Sequence, residues 1–129
     1  MSSIYEDRIL DHWKSPRNFG ELQNPDIKVK DWNPLCGDVI EIQLKLNDDG
    51  VIEDIRFRGE GCVISQASAS ILTEYVKGKK IDDVEKMQKE DIIRMLGVPI
   101  SPARIKCAIL SLTTLKLGLS EYRKYLSQR

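Results

Sequence analysis

Val39-Ile40-Glu41-Ile42-Gln43-Leu44-Lys45-Leu46-Asn47-Asp48-Asp49-Gly50, running on through Val51 to Arg58, is the stretch that decides the fold. Ile40, Ile42, Leu44 and Leu46 alternate with Glu41, Gln43 and Lys45, the two-residue period of a half-buried strand. Asn47 to Gly50 is a turn signal, because Asp-Gly accepts the positive φ angles of a tight hairpin. Val51 to Arg58 then reads as the return strand, with Ile55 and Phe57 on one face. Upstream, Ile27 to Trp32 supplies a first strand. The expectation is a three-stranded antiparallel sheet.

Beyond Arg58 the period changes. Ile64, Ala67, Ser68, Ile71, Leu72, Tyr75 and Val76 recur at 3.6-residue spacing, and Lys77-Gly78 is a C-cap signal. Ile81 to Met95 suggests one or two short polar helices before Gly97 and Pro99. Ser101-Pro102 opens a long amphipathic helix through Ala108, Leu112, Leu115, Leu119, Tyr122 and Leu126, with Gly118 as a candidate break. At the other end, Ile4 to Trp13 reads as a short helix capped by Ser3 and Glu6, with Ile4, Ile9, Leu10 and Trp13 as its apolar stripe. The Ser15 to Gly20 stretch ends it with turn chemistry. Helix, sheet, then helices implies an α+β fold with helices packed on one sheet face. Residues 1–129 read as a single domain without repeats, low-complexity tracts or linkers.

A chain of 129 residues can bury a core without disulfide staples. Its 20 Lys plus Arg balance 20 Asp plus Glu, so phosphate neutralisation is not the driving interaction and no nucleic-acid partner is expected. No apolar run reaches the roughly 18 residues of a membrane span, and residues 1–10 have no apolar signal core. A cytoplasmic protein is the default expectation.

The three cysteines are Cys36, Cys62 and Cys107. In a reducing compartment a Cys group reads as metal-binding or reactive rather than disulfide-bonded, although buried Cys is also a common packing residue. Context separates the two. Cys36 sits in Asn33-Pro34-Leu35-Cys36-Gly37-Asp38, between strands, with a carboxylate two residues away as a ligand or proton acceptor. Cys62 follows Gly59-Glu60-Gly61 where a strand passes into a helix. A helix N-terminus favours the thiolate, and the glycines permit close backbone approach. Cys107 begins the last helix beside Arg104 and Lys106, whose charges can lower a thiol pKa if they face the same way. The spacing Cys-x25-Cys-x44-Cys matches no zinc finger. All three cysteines nevertheless fall at junctions that a compact fold can bring to one end. Together with Asp38 they would form a mixed sulfur and oxygen site that suits tetrahedral zinc. Iron–sulfur clusters favour thiolates, so one carboxylate should make a cluster labile.

His12, the lone histidine, reads as a surface or packing residue. Ser65, Ser68 and Ser70 lack a second histidine as base, and read as small residues that let a helix pack close to the sheet. Residues 77–94 read as a solvated charged face.

These motifs resemble the IscU/SufU family of iron–sulfur cluster assembly proteins, also found as the N-terminal part of NifU. The resemblance spans nearly the whole chain: Asp11-His12, Ser15-Pro16-Arg17-Asn18, Asn33 to Asp38, Phe57 to Ser70, Thr73 to Lys79, and Ala103 to Ala108. It implies the family's three-stranded sheet with packed helices. It implies an exposed site of Cys36, Asp38, Cys62 and Cys107 that binds either a [2Fe-2S] cluster or zinc. It also implies a pyridoxal-phosphate cysteine desulfurase of the IscS, SufS or NifS kind, which delivers persulfide sulfur. By the family pattern Cys107 accepts that sulfur in scaffold members and Cys36 in SufU-like members. Two departures stand out. Scaffold members carry histidine where this chain has Lys106, and a Leu-Pro-Pro-Val-Lys chaperone segment where it reads Val98-Pro99-Ile100-Ser101-Pro102. SufU-like members carry an insertion before the third cysteine that is missing here.

Three functions compete at this level. One is a scaffold, rather than a true catalyst, on which [2Fe-2S] clusters form from iron and sulfur and pass to apo-proteins. The second is a zinc-dependent sulfurtransferase. The third is a plain structural zinc domain. The missing insertion favours the scaffold, Lys106 the sulfurtransferase, and the junction glycines with Asp38 an open site over a structural one. The scaffold could be a monomer or a cluster-bridged oligomer.

Overall fold

A computed structural model describes residues 4–34 and 37–128. The Ser3 cap and Cys36 lie outside the described residues. The elements run α1 (Ile4–Lys14), β1 (Ile27–Asn33), β2 (Asp38–Leu46), β3 (Ile52–Glu60), α2 (Val63–Val76), α3 (Ile81–Glu85), α4 (Lys89–Leu96) and α5 (Ile105–Ser127). A single 3-10 turn, Pro102–Arg104, leads into α5.

The sheet has the order β1-β2-β3, antiparallel throughout. Residues Val29, Ile42 and Phe57 are aligned across it, as are Ile27, Leu44 and Ile55. All six are buried, on the face that α2 and α5 cover. Leu72 and Val76 of α2 and Leu112, Leu115 and Leu119 of α5 complete the core with Ile92 and Leu96 of α4. Side chains of this size each contribute about 1.5–3 kcal/mol on burial. The opposite sheet face is polar, but Gln43 on it is buried, because the segment after α1 folds back and Leu22 donates its N–H to Gln43 Oε1 at 2.9 Å.

That returning segment also runs along β3. Phe57 donates its N–H to Asn18 O at 2.9 Å, and Gly20 donates to Phe57 O at 2.9 Å. At the start of the strand Ile52 bonds Lys79 O at 2.9 Å and accepts from Gly78 N–H at 2.8 Å. The outer edge of β3 is thus bonded at two places.

Three expectations change. Leu10 and Trp13 of α1 are exposed, at 44% and 43%, whereas Ile9 and His12 face α2. The sequence carries two candidate stripes, and the inner one wins because α2 offers His12 polar partners. Gly118 does not break α5, which is continuous. A Cβ at Gly118 would lie 2.7 Å from Val29 Cγ1, so the glycine lets the helix backbone rest directly on β1. The one or two short helices expected over Ile81 to Met95 are two, α3 and α4. The 77–94 face is not purely solvated, since Arg123 of α5 pairs with Asp82 and Glu85. No helix among the described residues is long and apolar enough to cross a membrane.

Candidate metal and sulfur site

The period of β2 places Asp38 on the same face as Ile40 and Ile42, so its carboxylate points under the helices rather than to the polar side. Above it, Cys62 is the N-cap of α2, with extended backbone (φ −76°, ψ 169°). Cys107 is the third residue of α5. One strand start and two helix starts therefore meet at one end of the sheet.

The donor atoms of Asp38, Cys62 and Cys107 all lie within 4.8 Å of one another. Asp38 is 2% exposed and Cys107 1%, while Cys62 is half-buried. Asp38 Oδ1 accepts the Cys62 backbone N–H at 3.0 Å, which satisfies one of the donors a helix start leaves over. Its Oδ2 stands 3.9 Å from Cys62 Sγ. Two sulfurs on one tetrahedral metal stand roughly 3.8 Å apart, given metal–sulfur bonds near 2.3 Å. The three donor atoms are thus close to the spacing of ligands around one ion. Ser65 Oγ donates to Cys62 O at 3.1 Å and steadies the first turn of α2.

These residues line an open cleft of about 330 Å³ with Gly61, Ala103 and Arg104. A larger cleft of about 490 Å³ on the polar sheet face, near Phe19, Glu41 and Arg58, contains no cysteine. Arg104 and Lys106 part company here. Arg104 lines the cysteine cleft, whereas Lys106 lines a neighbouring, mostly apolar one with Trp32, Pro34, Ile109 and Leu110. Arg104 closes the 3-10 turn and Lys106 lies two residues on in α5, about 200° around a helix at 3.6 residues per turn, which is why the two cations separate.

Ser68 and Ser70 tie α2 to its neighbours. Ser68 Oγ donates to Ala108 O at 2.5 Å, tying α2 to α5. Ser70 Oγ accepts Arg17 N–H at 2.8 Å and meets His12 Nδ1 at 2.7 Å, and His12 Nε2 lies 3.5 Å from Glu74. This Ser–His–Glu arrangement, with serine and histidine buried and the glutamate exposed, is not legible in the sequence, because nothing in one dimension brings residue 12 to residue 70. It is no nucleophilic triad: Ser70 is fully buried and its oxygen is already engaged. Burial, with the Arg17 guanidinium, holds the His12 pKa below its ordinary 6.5 against the pull of Glu74.

The NifU-like N terminal domain profile matches residues 4–128. The iron-sulfur cluster assembly scaffold protein IscU of Escherichia coli (strain K12) is 39% identical over 122 residues, covering 92% of this chain and 94% of that protein. Among solved structures, a putative iron-sulfur cluster assembly scaffold protein for the SUF system from Fervidobacterium islandicum AW-1 is 28% identical with a TM-score of 0.72, covering 92% and 96% of the two chains. The N-terminal part of a nitrogen-fixing NifU-like protein from Brucella abortus shares the fold, at TM-score 0.76 and 24% identity over 94% and 95%. A likeness that runs the length of the chain leaves one conclusion: the chain belongs to the NifU-like N-terminal domain family, among the IscU and SufU iron–sulfur cluster assembly proteins.

Proposed function

We propose that this protein is a scaffold on which a labile [2Fe-2S] cluster is built from iron and persulfide-derived sulfur and then handed to apo-proteins. The observation that carries the reading is the convergence of one carboxylate and two thiols within 4.8 Å at the rim of an open cleft. Its curated relatives in Escherichia coli and Buchnera aphidicola carry the name of cluster assembly scaffold. Cys36 joins as the fourth ligand, two residues from Asp38 in sequence.

Sulfur arrives from a cysteine desulfurase. A thiolate of this chain, Cys107 or Cys36, attacks the terminal sulfur of the donor's persulfide. The donor's S–S bond breaks, a new S–S bond forms here, and the donor cysteine leaves as a thiolate. The exchange is redox-neutral. Reduction to sulfide then takes two electrons per sulfur from an external electron donor. Arg104, on the same cleft, is suited to hold the anionic sulfur. Asp38 supplies a hard oxygen among soft sulfurs, and that weak ligand suits release over storage.

A second reading, zinc-dependent sulfur transfer, rests on the same donor set, which fits tetrahedral zinc, and on Lys106. Anaerobic incubation with ferrous iron, cysteine and a desulfurase, followed by apo-ferredoxin, separates the two. A visible cluster spectrum that moves to the ferredoxin supports the scaffold. A colourless, zinc-loaded protein that accelerates the desulfurase refutes it and supports sulfur transfer.

A further inference from the structure

Gly61 lies between the end of β3 and the N-cap of α2, directly against the Asp38 side chain. A Cβ there would overlap Asp38 Oδ1, stand 2.8 Å from Asp38 Cγ and 2.7 Å from Ser65 Oγ. Real Cβ atoms do not approach so closely, so something must give. Ser65 is 1% exposed and anchored on Cys62 O, while its own helix carries it. The carboxylate is the end of a side chain with two rotatable bonds, and it faces an open cleft. It is the group that would yield.

We propose that Gly61 is a positioning residue for Asp38. With no side chain at 61, the carboxylate settles against the start of α2, Oδ1 on the Cys62 N–H and Oδ2 turned to the sulfurs. Any side chain at 61 displaces it and leaves the two thiols without their oxygen partner. The inference rests on the metal-holding reading of the site and names the residue that fixes its ligand geometry.

Cobalt(II) is the probe. Wild type, Gly61→Ala, Asp38→Ala and the double variant are loaded with it. Release to a chelator is timed, and the sulfur-to-cobalt absorption is recorded. Gly61→Ala should reproduce most of the Asp38→Ala change in release rate while retaining the sulfur band. The double variant should match Asp38→Ala within about twofold, because a displaced ligand cannot be lost twice. A Gly61→Ala rate equal to wild type, or effects that multiply in the double variant, would overturn the proposal. Thermal melts of the four metal-free proteins provide a readout that survives poor folding. Gly61→Ala already takes the carboxylate off the Cys62 N–H, so the two losses should overlap and the double variant should be no less stable than the weaker single variant, whereas a double variant whose loss is the sum of the two single losses would assign the glycine to the backbone and reject the proposal. If wild type holds no cobalt, the metal reading fails, and the stability coupling between residues 61 and 38 still decides the positioning role.

Discussion

Asp38 and Cys62 are joined twice over: the cysteine's backbone N–H sits on one carboxylate oxygen at 3.0 Å, and its sulfur stands 3.9 Å from the other. The same carboxylate is therefore a helix cap and a candidate ligand. Its removal should have two separable effects.

Asp38→Ala should lengthen the life of a reconstituted cluster several-fold, read as slower bleaching with chelator and slower transfer to apo-ferredoxin. It should also destabilise the metal-free protein by about 1–2 kcal/mol, the usual cost of losing a helix cap and leaving a buried donor unmet. Asp38→Asn should restore much of the stability, because its amide oxygen can still accept the Cys62 N–H. A cluster no longer lived in Asp38→Ala would refute the role of the carboxylate as the weak ligand.

His12 predicts a pH dependence. His12 Nδ1 shares a hydrogen bond with Ser70 Oγ, which also accepts Arg17 N–H, and His12 Nε2 faces Glu74. The folded-state pKa of His12 lies below 6.5. The unfolded chain consequently binds the proton first as pH falls. Stability from this site is complete above pH 6.5 and declines below it until the folded histidine also protonates. Urea midpoints should fall between pH 7.5 and 5.5, and the fall should shrink in His12→Gln. An equal fall in both proteins would assign the effect to other groups.

Metal removal should lower the melting temperature without abolishing folding. The site sits at one end of a sheet whose core, from Ile42 and Phe57 to Leu115, is complete without it. Binding to the native state adds stability by mass action. Far-UV circular dichroism after chelation should retain the helical signal, and its collapse would favour a structural zinc domain.

Gly118→Ala should destabilise the protein by about 1–3 kcal/mol, as overpacking does, although alanine is the better helix former by roughly 1 kcal/mol. The added methyl would meet Val29 on β1. Denaturant unfolding reads the sign directly, and a stabilised variant would mean that the helix can move off the strand at little cost.

The strands were legible because alternation in Ile40 to Leu46 carries both the strand and its buried face. The junction positions of Cys62 and Cys107 followed from the change of period around them. The inner face of α1 was not legible: Leu10 and Trp13 are more apolar than His12, and only the serines of α2, more than 50 residues away in sequence, make the histidine the better buried residue. Nor could one dimension tell that Arg104 and Lys106 serve different clefts. The glycines before Cys62 did announce a close approach. What they approach, the Asp38 carboxylate, required the fold.

The two bonded stretches along β3 have a consequence for the protein's life in a crowded solution. A strand with open amides invites a second molecule to extend the sheet. Asn18, Gly20, Gly78 and Lys79 occupy that side from within the chain, so growth of a ribbon would have to begin at β1, where Lys28 and Lys30 are exposed and like charges would be brought together. A protein that must present an open, reactive end to successive partners is thereby kept from presenting a sticky flank to itself.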